Sequence, residues 1–551
     1  MLGHLTLRKY LIPIKNKRFE ILFGILVLIY LVPIWRFTYF PSQDGPSHIY
    51  NTQVLKDFSN PEYEFGKYYK LNLKPFPNWT CYVLMMAFQF IASPIISDKI
   101  FLSINIIMMA TSIYYLLGVI GHKRRLFSLL GFMYVYNFLF LMGFYNFSIA
   151  VPFFIFSIGY FWKHKESINW KSGLVLGLLL IATFFSHPVP YMLAVLAIFA
   201  ISVIYFKKRL QGIALNTACL IPSLILAVNY IISSGMLTSK RPPSSYWNMP
   251  RLLADLLSVK SLVSFNVIEQ TKISYVLSAF IGLLLIVTII RKLSFKNGNL
   301  IVKLEDKDYM LVAFIITFGL YIYLPDGIDN QGGFVNSRLN LFSSLLLIPL
   351  LSENIGRIMR RIVLVLMVLL VLGNLVYIYD YFDVLNYELE EYTAGVGTIG
   401  KNVVMMPLIF DKGGNSQVVQ TFTHAPNYYC LDNGNINLGN YEADQHYFPI
   451  NFQTSFERPT ISQVHYAPNE IDFAKLSTYV NYIVAFGYDK NILDKVSKYY
   501  DLQLRKDRLR IFKKKGENNN SNAQASLHNT YHHPIHFQFS YHIESSEIVL
   551  F

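Results

Sequence analysis

Apolar runs too long for a soluble core constrain this chain more than any other feature. Ile21 to Phe40 and Ile362 to Tyr379 each reach the roughly 18 residues that a helix needs to cross a bilayer. Hydrophobic residues make up 53% of the 551 and charged residues only 15%, so the expected fold class is a polytopic α-helical membrane protein. Arg8, Lys9, Lys15, Lys17 and Arg18 precede the first run, which is too long for a signal-peptide core. A retained first span with a cytoplasmic N-terminus, residues 1–20, is expected.

The net charge of +14 would suit nucleic acid or anionic lipid, but much of the excess sits in short loops between apolar runs. These are His122 to Arg125, Lys163 to Lys171, Lys207 to Arg209, Arg291 to Lys307 and Arg357 to Arg361. Such loops stay in the cytoplasm, so the charge is a topology signal and no nucleic-acid partner is expected. Gly143 to Asn146, His187-Pro188 and Pro325 to Asn336 then face the other side. Asn78 to Gly121 is long enough for two crossings where the charge pattern permits an odd number. An interfacial helix over Asn78 to Ile96 and a span over Ile100 to Ile120 resolve this, the reverse assignment remaining open. The count is about eleven crossings, within residues 21–380, and leaves the C-terminus outside.

After Tyr379 the composition turns mixed, with strand-like Asn402 to Phe410 and Asn481 to Phe486, a helical Asn491 to Tyr500 and strand-like Arg508 to Phe512. Residues 381–513 are read as a small extracytoplasmic α/β domain. Residues 514–551, polar and then His-rich, read as a disordered tail. Three cysteines, Cys81, Cys219 and Cys430, have neither disulfide-framework nor zinc spacing. The chain has no P-loop, GxGxxG or GxSxG motif. No cofactor is expected, and a divalent metal has no support.

Within the first outer loop, residues 41–77, Asp44-Gly45-Pro46 reads as a helix start, and His48 follows one turn later. That Asp is equally a plain cap. The outer face also gathers Lys74, Asn78, Asn146, His187, the run Asp326 to Gly333 and Arg338, which opens the apolar run Leu339 to Leu351. Ionisable residues at membrane depth are costly and tend to face a wet cavity. Arg338 has the planar fork that grips a phosphate, or it is a snorkelling interfacial arginine. His187 is read as a packing or a substrate histidine, and Asn146 as a helix cap or a sugar ligand.

The charged N-terminus, the single span, the loop opening Asp44-Gly45-Pro46-Ser47-His48, the many further spans and the C-terminal α/β domain together resemble the GT-C superfamily, integral membrane glycosyltransferases that use polyprenyl-phosphate sugars. Protein mannosyltransferases and aminoarabinose transferases are the members it is most similar to. Ser186-His187-Pro188, Asn336-Ser337-Arg338 and Asn440-Tyr441-Glu442-Ala443 have the flavour of bacterial members. The resemblance implies a multi-pass protein of the bacterial cell membrane that transfers a sugar, with inversion, from a polyprenyl-phosphate lipid to a glycan, lipid or protein acceptor. By position Asp44 matches the family's catalytic base, with His48 to orient it. Arg338 and Lys74 are expected at the donor phosphate, and Asn146, His187, Tyr441 and Glu442 at the substrate. Many members carry two adjacent acids in this loop; here Gly45 follows Asp44, which argues against metal assistance. A lipid-linked glycan polymerase or ligase shares the same chemistry; a carrier also needs such a wet cavity but is expected to show repeated halves or broken helices, which the sequence does not display, and a non-catalytic envelope scaffold leaves the clustering of polar residues on one face unexplained.

Overall fold

The structure, a computed structural model, describes residues 17–234, 244–296, 299–302, 305–328, 333–351 and 355–516. The basic residues ahead of Lys17, Asp329 to Gly332 of the polar run, and the tail after Gly516 lie outside the described residues.

Among the described residues, six helices are long and apolar enough to cross a membrane: Arg18–Arg36, Pro94–Ile120, Tyr145–His164, Pro188–Phe206, Val267–Lys292 and the helix that begins at Arg357. A pair bent by 58°, Leu210–Ala218 and Ile221–Ser233, makes a seventh if it is one span. Eleven crossings would require shorter helices such as Trp170–Ser186 to span as well, so the long helices alone do not reach the count read from charge alternation. In the ambiguous stretch the chain forms a short helix, Thr80–Gln89, and one long one, Pro94–Ile120. The long helix starts ahead of Ile100 because Ser93 caps it, accepting the Ile96 N–H, and Pro94 fits the first turn.

The last long helix, Arg357–Thr393, has 37 residues and rises about 55 Å. A hydrocarbon core is about 30 Å thick, so its polar end projects beyond the membrane and leads into the C-terminal α/β region. That region holds a five-stranded mixed sheet in the order Tyr500–Lys506, Leu509–Lys514, Tyr482–Phe486, Val404–Ile409, Ile436–Asn437. The central strands Val404–Ile409 and Tyr482–Phe486 run parallel, with Met405 opposite Tyr482 and Ile409 opposite Phe486. Both are buried nearly throughout, which is why they read as continuous apolar runs rather than alternating ones. The helix expected from Asn491 begins at Lys490 because Asp489 caps it, and it stops at Ser497 so that Tyr500 can open a strand.

Apolar side chains form two cores, one among the long helices and one in the α/β region. The helix Gly45–Lys56 belongs to the second, where Ile49, Tyr50 and Val54 pack with the sheet. Yet most of this helix is polar, and every residue from Gly45 to Val54 is buried. Burying polar groups is costly unless each finds a partner, and here the α/β region supplies several. Asn427 donates to the Ser47 hydroxyl (2.9 Å), Gln53 exchanges hydrogen bonds with Asp432 (3.0 and 3.1 Å), and Asn51 exchanges hydrogen bonds with Asn440 (3.1 and 2.7 Å). Strand Tyr69–Leu71 continues the clasp by pairing antiparallel with Ile450–Phe452. The connection after the first long helix is thereby built into the C-terminal region.

Candidate active site

Asp44 sits where three parts of the chain meet. Its backbone N–H donates to the Met142 carbonyl (3.0 Å), and that of Gln43 to the Leu141 carbonyl (3.2 Å). This close approach needs glycine at 143: φ there is +83°, and a Cβ would lie 2.7 Å from the Asp44 nitrogen. Asp44 precedes the helix with φ −94° and ψ −14°, inside the helical region rather than the extended one that side-chain caps favour. Its carboxylate accordingly makes no cap hydrogen bond and turns away from the helix. Tyr441 donates its hydroxyl proton to Oδ2 (2.9 Å), the Gln43 amide donates to Oδ1 (3.3 Å), and His424 Nε2 lies 3.5 Å from Oδ1. Burial pushes the Asp44 pKa up to about 7, while the His48 charge and the Tyr441 bond pull it down and Glu442 pushes it up.

His48, one turn on, faces elsewhere. Its Nε2 lies 3.0 Å from the Gly143 carbonyl, which can only accept. Its Nδ1 lies 2.9 Å from the Tyr82 hydroxyl, whose own proton goes to Glu442 Oε2 (2.5 Å). Both ring nitrogens therefore donate, and His48 is an imidazolium paired with Glu442, its Nδ1 being 2.8 Å from Oε1. Burial alone would lower its pKa, but the Glu442 carboxylate outweighs burial and holds it above the usual value. Asn51 adds a hydrogen bond to Glu442 Oε2 (2.6 Å). His48 and Glu442 form a closed ion pair beside Asp44, and the bond expected between His48 and Asp44 is not made.

A cavity of about 760 Å³ opens beside Asp44, and Asp44, His48, Asn146, His187, Arg338, Tyr441 and His446 all line it. Arg338 donates from Nη1 to the Gly333 carbonyl (2.5 Å), and its guanidinium lies 5.0 Å from the ring centre of Phe144 and 5.6 Å from that of Phe147. Its Nε is buried without a partner, and among the described residues no carboxylate pairs with it. A cation with spare donors on a cavity wall suits an anionic ligand. His187 accepts the Val189 N–H at Nδ1 (3.2 Å), which caps the helix Pro188–Phe206 and leaves its proton on Nε2. Its ring meets Phe147 edge-on at 5.3 Å.

Asn146 spends its amide on protein: Oδ1 accepts the Cys81 N–H (2.8 Å), and Nδ2 donates to the Asn78 carbonyl (3.0 Å) and towards Cys81 Sγ. It caps a helix, but the neighbouring Thr80–Gln89 rather than its own. Glu442 is fully buried against His48, Asn51 and Tyr82. Lys74 is exposed and does not line the cavity. The structure adds residues that the sequence did not single out: His424, stacked 4.3 Å from Tyr441, and Phe144 and Phe147 under Arg338. His424 lies about 380 positions from Asp44 in a Thr-His-Ala-Pro stretch with no motif, so no local signal marks it. Among the described residues, no three His, Cys, Asp or Glu side chains are grouped as metal ligands would be.

No family model matches the sequence, and comparison with curated proteins gives no match. Among the solved structures that match is ArnT from Cupriavidus metallidurans bound to undecaprenyl phosphate, with 9% identity and a TM-score of 0.54, over 90% of this chain and 98% of that one. At that identity the likeness is one of fold alone: the chain shares the fold of that ArnT structure.

Proposed function

We propose that the protein is a membrane glycosyltransferase that moves a sugar from a polyprenyl-phosphate lipid to an extracytoplasmic acceptor with inversion. The observation that carries this reading is the pairing on one cavity wall of a buried carboxylate with pKa near 7 and a guanidinium that no carboxylate among the described residues neutralises. The matched fold, seen in a protein bound to undecaprenyl phosphate, supports the lipid class.

In the proposed step Asp44 takes the proton of the acceptor's hydroxyl or amine as that atom bonds to the anomeric carbon. The bond from the anomeric carbon to the phosphate oxygen breaks, and its electron pair leaves with the polyprenyl phosphate. A single displacement inverts the anomeric centre. A base works best with a pKa close to the working pH, which is where burial has put Asp44. Arg338 offsets the charge gathering on the leaving phosphate, and the aromatic rings beneath it keep water from weakening that contact. Purified protein given a polyprenyl-phosphate sugar and a cell-envelope extract should release polyprenyl phosphate and label an acceptor. Failure of the parent protein with every donor sugar tried would overturn the proposal.

A further inference from the structure

The Asp44 carboxylate is gripped from the C-terminal α/β region, about 400 residues away in sequence. Tyr441 reaches Oδ2 with its hydroxyl (2.9 Å), and the His424 ring lies against the Tyr441 ring at 4.3 Å with Nε2 3.5 Å from Oδ1. The third group, the Gln43 amide on Oδ1, is itself held from that region, because its Oε1 accepts the Gln420 N–H (3.2 Å). The segment leading to His424 is tied down independently: the Gln417 N–H donates to the Phe265 carbonyl (2.8 Å) and that of Val419 to the Ser264 carbonyl (3.1 Å). All three contacts on the carboxylate thus depend on how the α/β region sits.

We propose that the α/β region completes the catalytic base: Tyr441 is a positioning residue that fixes Asp44 through Oδ2, and His424 is the buttress that holds Tyr441 in place and closes the other side of the carboxylate. This rests on the reading of Asp44 as the base. A carboxylate with two freely rotating oxygens presents its lone pair to the acceptor only part of the time, and one held by a hydroxyl at Oδ2 keeps in one direction the Oδ1 lone pair that the Gln43 amide does not use. The hydroxyl also compensates the charged form, which burial penalises. The other groups around Asp44 do not duplicate this. The His48 charge lowers the Asp44 pKa from a distance but is paired with Glu442 and makes no hydrogen bond that would orient the carboxylate, the Gln43 amide is neutral and longer, and His424 is held well below its usual pKa by burial first and by His465, His48 and Lys412 after it.

Tyr441→Phe removes one hydroxyl and keeps the ring on His424. It should raise the pH at which kcat/KM reaches half its plateau by about one unit, so that the loss is several-fold at pH 6 and small at pH 9. His424→Ala should do the same less strongly, and His424→Phe, which keeps a ring under Tyr441, should restore most of it. A merely structural role predicts a loss that is the same at every pH, and that result, or an unmoved limb, overturns the proposal. A second readout needs no activity: infrared titration of the protonated carboxyl band that Asp44→Asn removes. Its midpoint should rise in Tyr441→Phe and stay unmoved if the proposal is wrong. If the parent transfers no sugar, the functional reading fails while the infrared arm still decides whether Tyr441 controls Asp44.

Discussion

Asp44 and Glu442 are near neighbours, both buried, yet one pocket neutralises its acid and the other leaves it exposed to chemistry. Glu442 has the Tyr82 hydroxyl and the Asn51 amide on Oε2 and the His48 imidazolium 2.8 Å from Oε1, so a built-in opposite charge stands beside it. Asp44 has only neutral donors, one of them long, and faces a cavity. Burial is common to both, so burial alone does not make an acid reactive. What separates them is whether a permanent opposite charge is built alongside. The positively charged ring one turn from Asp44 is turned to Glu442 by the carbonyl of Gly143, and that single contact decides which acid it serves.

The contrast breaks most visibly at Asp44. Asp44→Asn keeps the shape but cannot accept a proton, so transfer should fall 10²- to 10⁴-fold, the usual range for general-base catalysis. Because the side chain does not cap its helix, thermal unfolding in detergent should be unchanged near pH 4, where the parent carboxyl is protonated and Asn is its isostere. Near-parental turnover would return Asp44 to a structural role. Glu442→Gln should do the reverse. It strands a buried imidazolium or forces it neutral, at about 3–5 kcal/mol of stability, and circular dichroism melts should show the loss whether or not activity is assayed. A Glu442→Gln protein as stable as the parent would mean that the two pockets do not differ in the way described.

A pH series sharpens the same comparison. The Asp44 pKa is raised from 3.8 to about 7 on folding, so the folded state holds its proton more tightly than the unfolded chain does. Stability from this group is therefore greatest at low pH and falls as pH rises from about 4 to 7, by on the order of a few kcal/mol. Asp44→Asn should be flat across that window. His48 is raised as well, so its stabilisation is full below its unfolded value of 6.5 and is lost as pH climbs through its higher folded value. Glu442→Gln should abolish that second decline and leave the first. The smallest effect is expected at Arg338. Arg338→Lys keeps a charge and loses the planar fork, raising the KM for the donor lipid about tenfold with little change in melting. An unchanged KM would make Arg338 an interfacial residue stacked on Phe144 and Phe147.

The sequence displayed Asp44, His48 and Arg338 because each stands beside a feature with its own signal: the end of an apolar run, a Gly-Pro helix start, the opening of another apolar run. It displayed the central strands because parallel strands buried on both faces are continuous apolar runs. Local signals could not say where a ring one turn away would point. Spacing put His48 beside Asp44, but the Gly143 carbonyl and Glu442, contributed from elsewhere in the chain, took both ring nitrogens. His424 and the rings of Phe144 and Phe147 were hidden for the same reason, since only tertiary packing gives them a role. Loop charge and helix length report different things: charge marks sides, while helix length and bending mark spans, and the long helices among the described residues do not by themselves reach the count that charge gives.

The pairing of Tyr69–Leu71 with Ile450–Phe452 has a consequence for the order in which the protein matures. At a ribosome speed of roughly 5–20 residues per second, the polar helix Gly45–Lys56 is made some tens of seconds before the segment that covers it. Until Asn440 and Glu442 emerge, Asn51 lacks its side-chain partners and His48 its counter-ion, so the earliest-made part of the site is among the last to settle. Contacts that close such long loops also slow folding. A nascent chain halted before residue 440 has its long helices, but it lacks the Tyr441 hydroxyl that reaches Asp44 and the part of the cavity wall from Tyr441 to Tyr466.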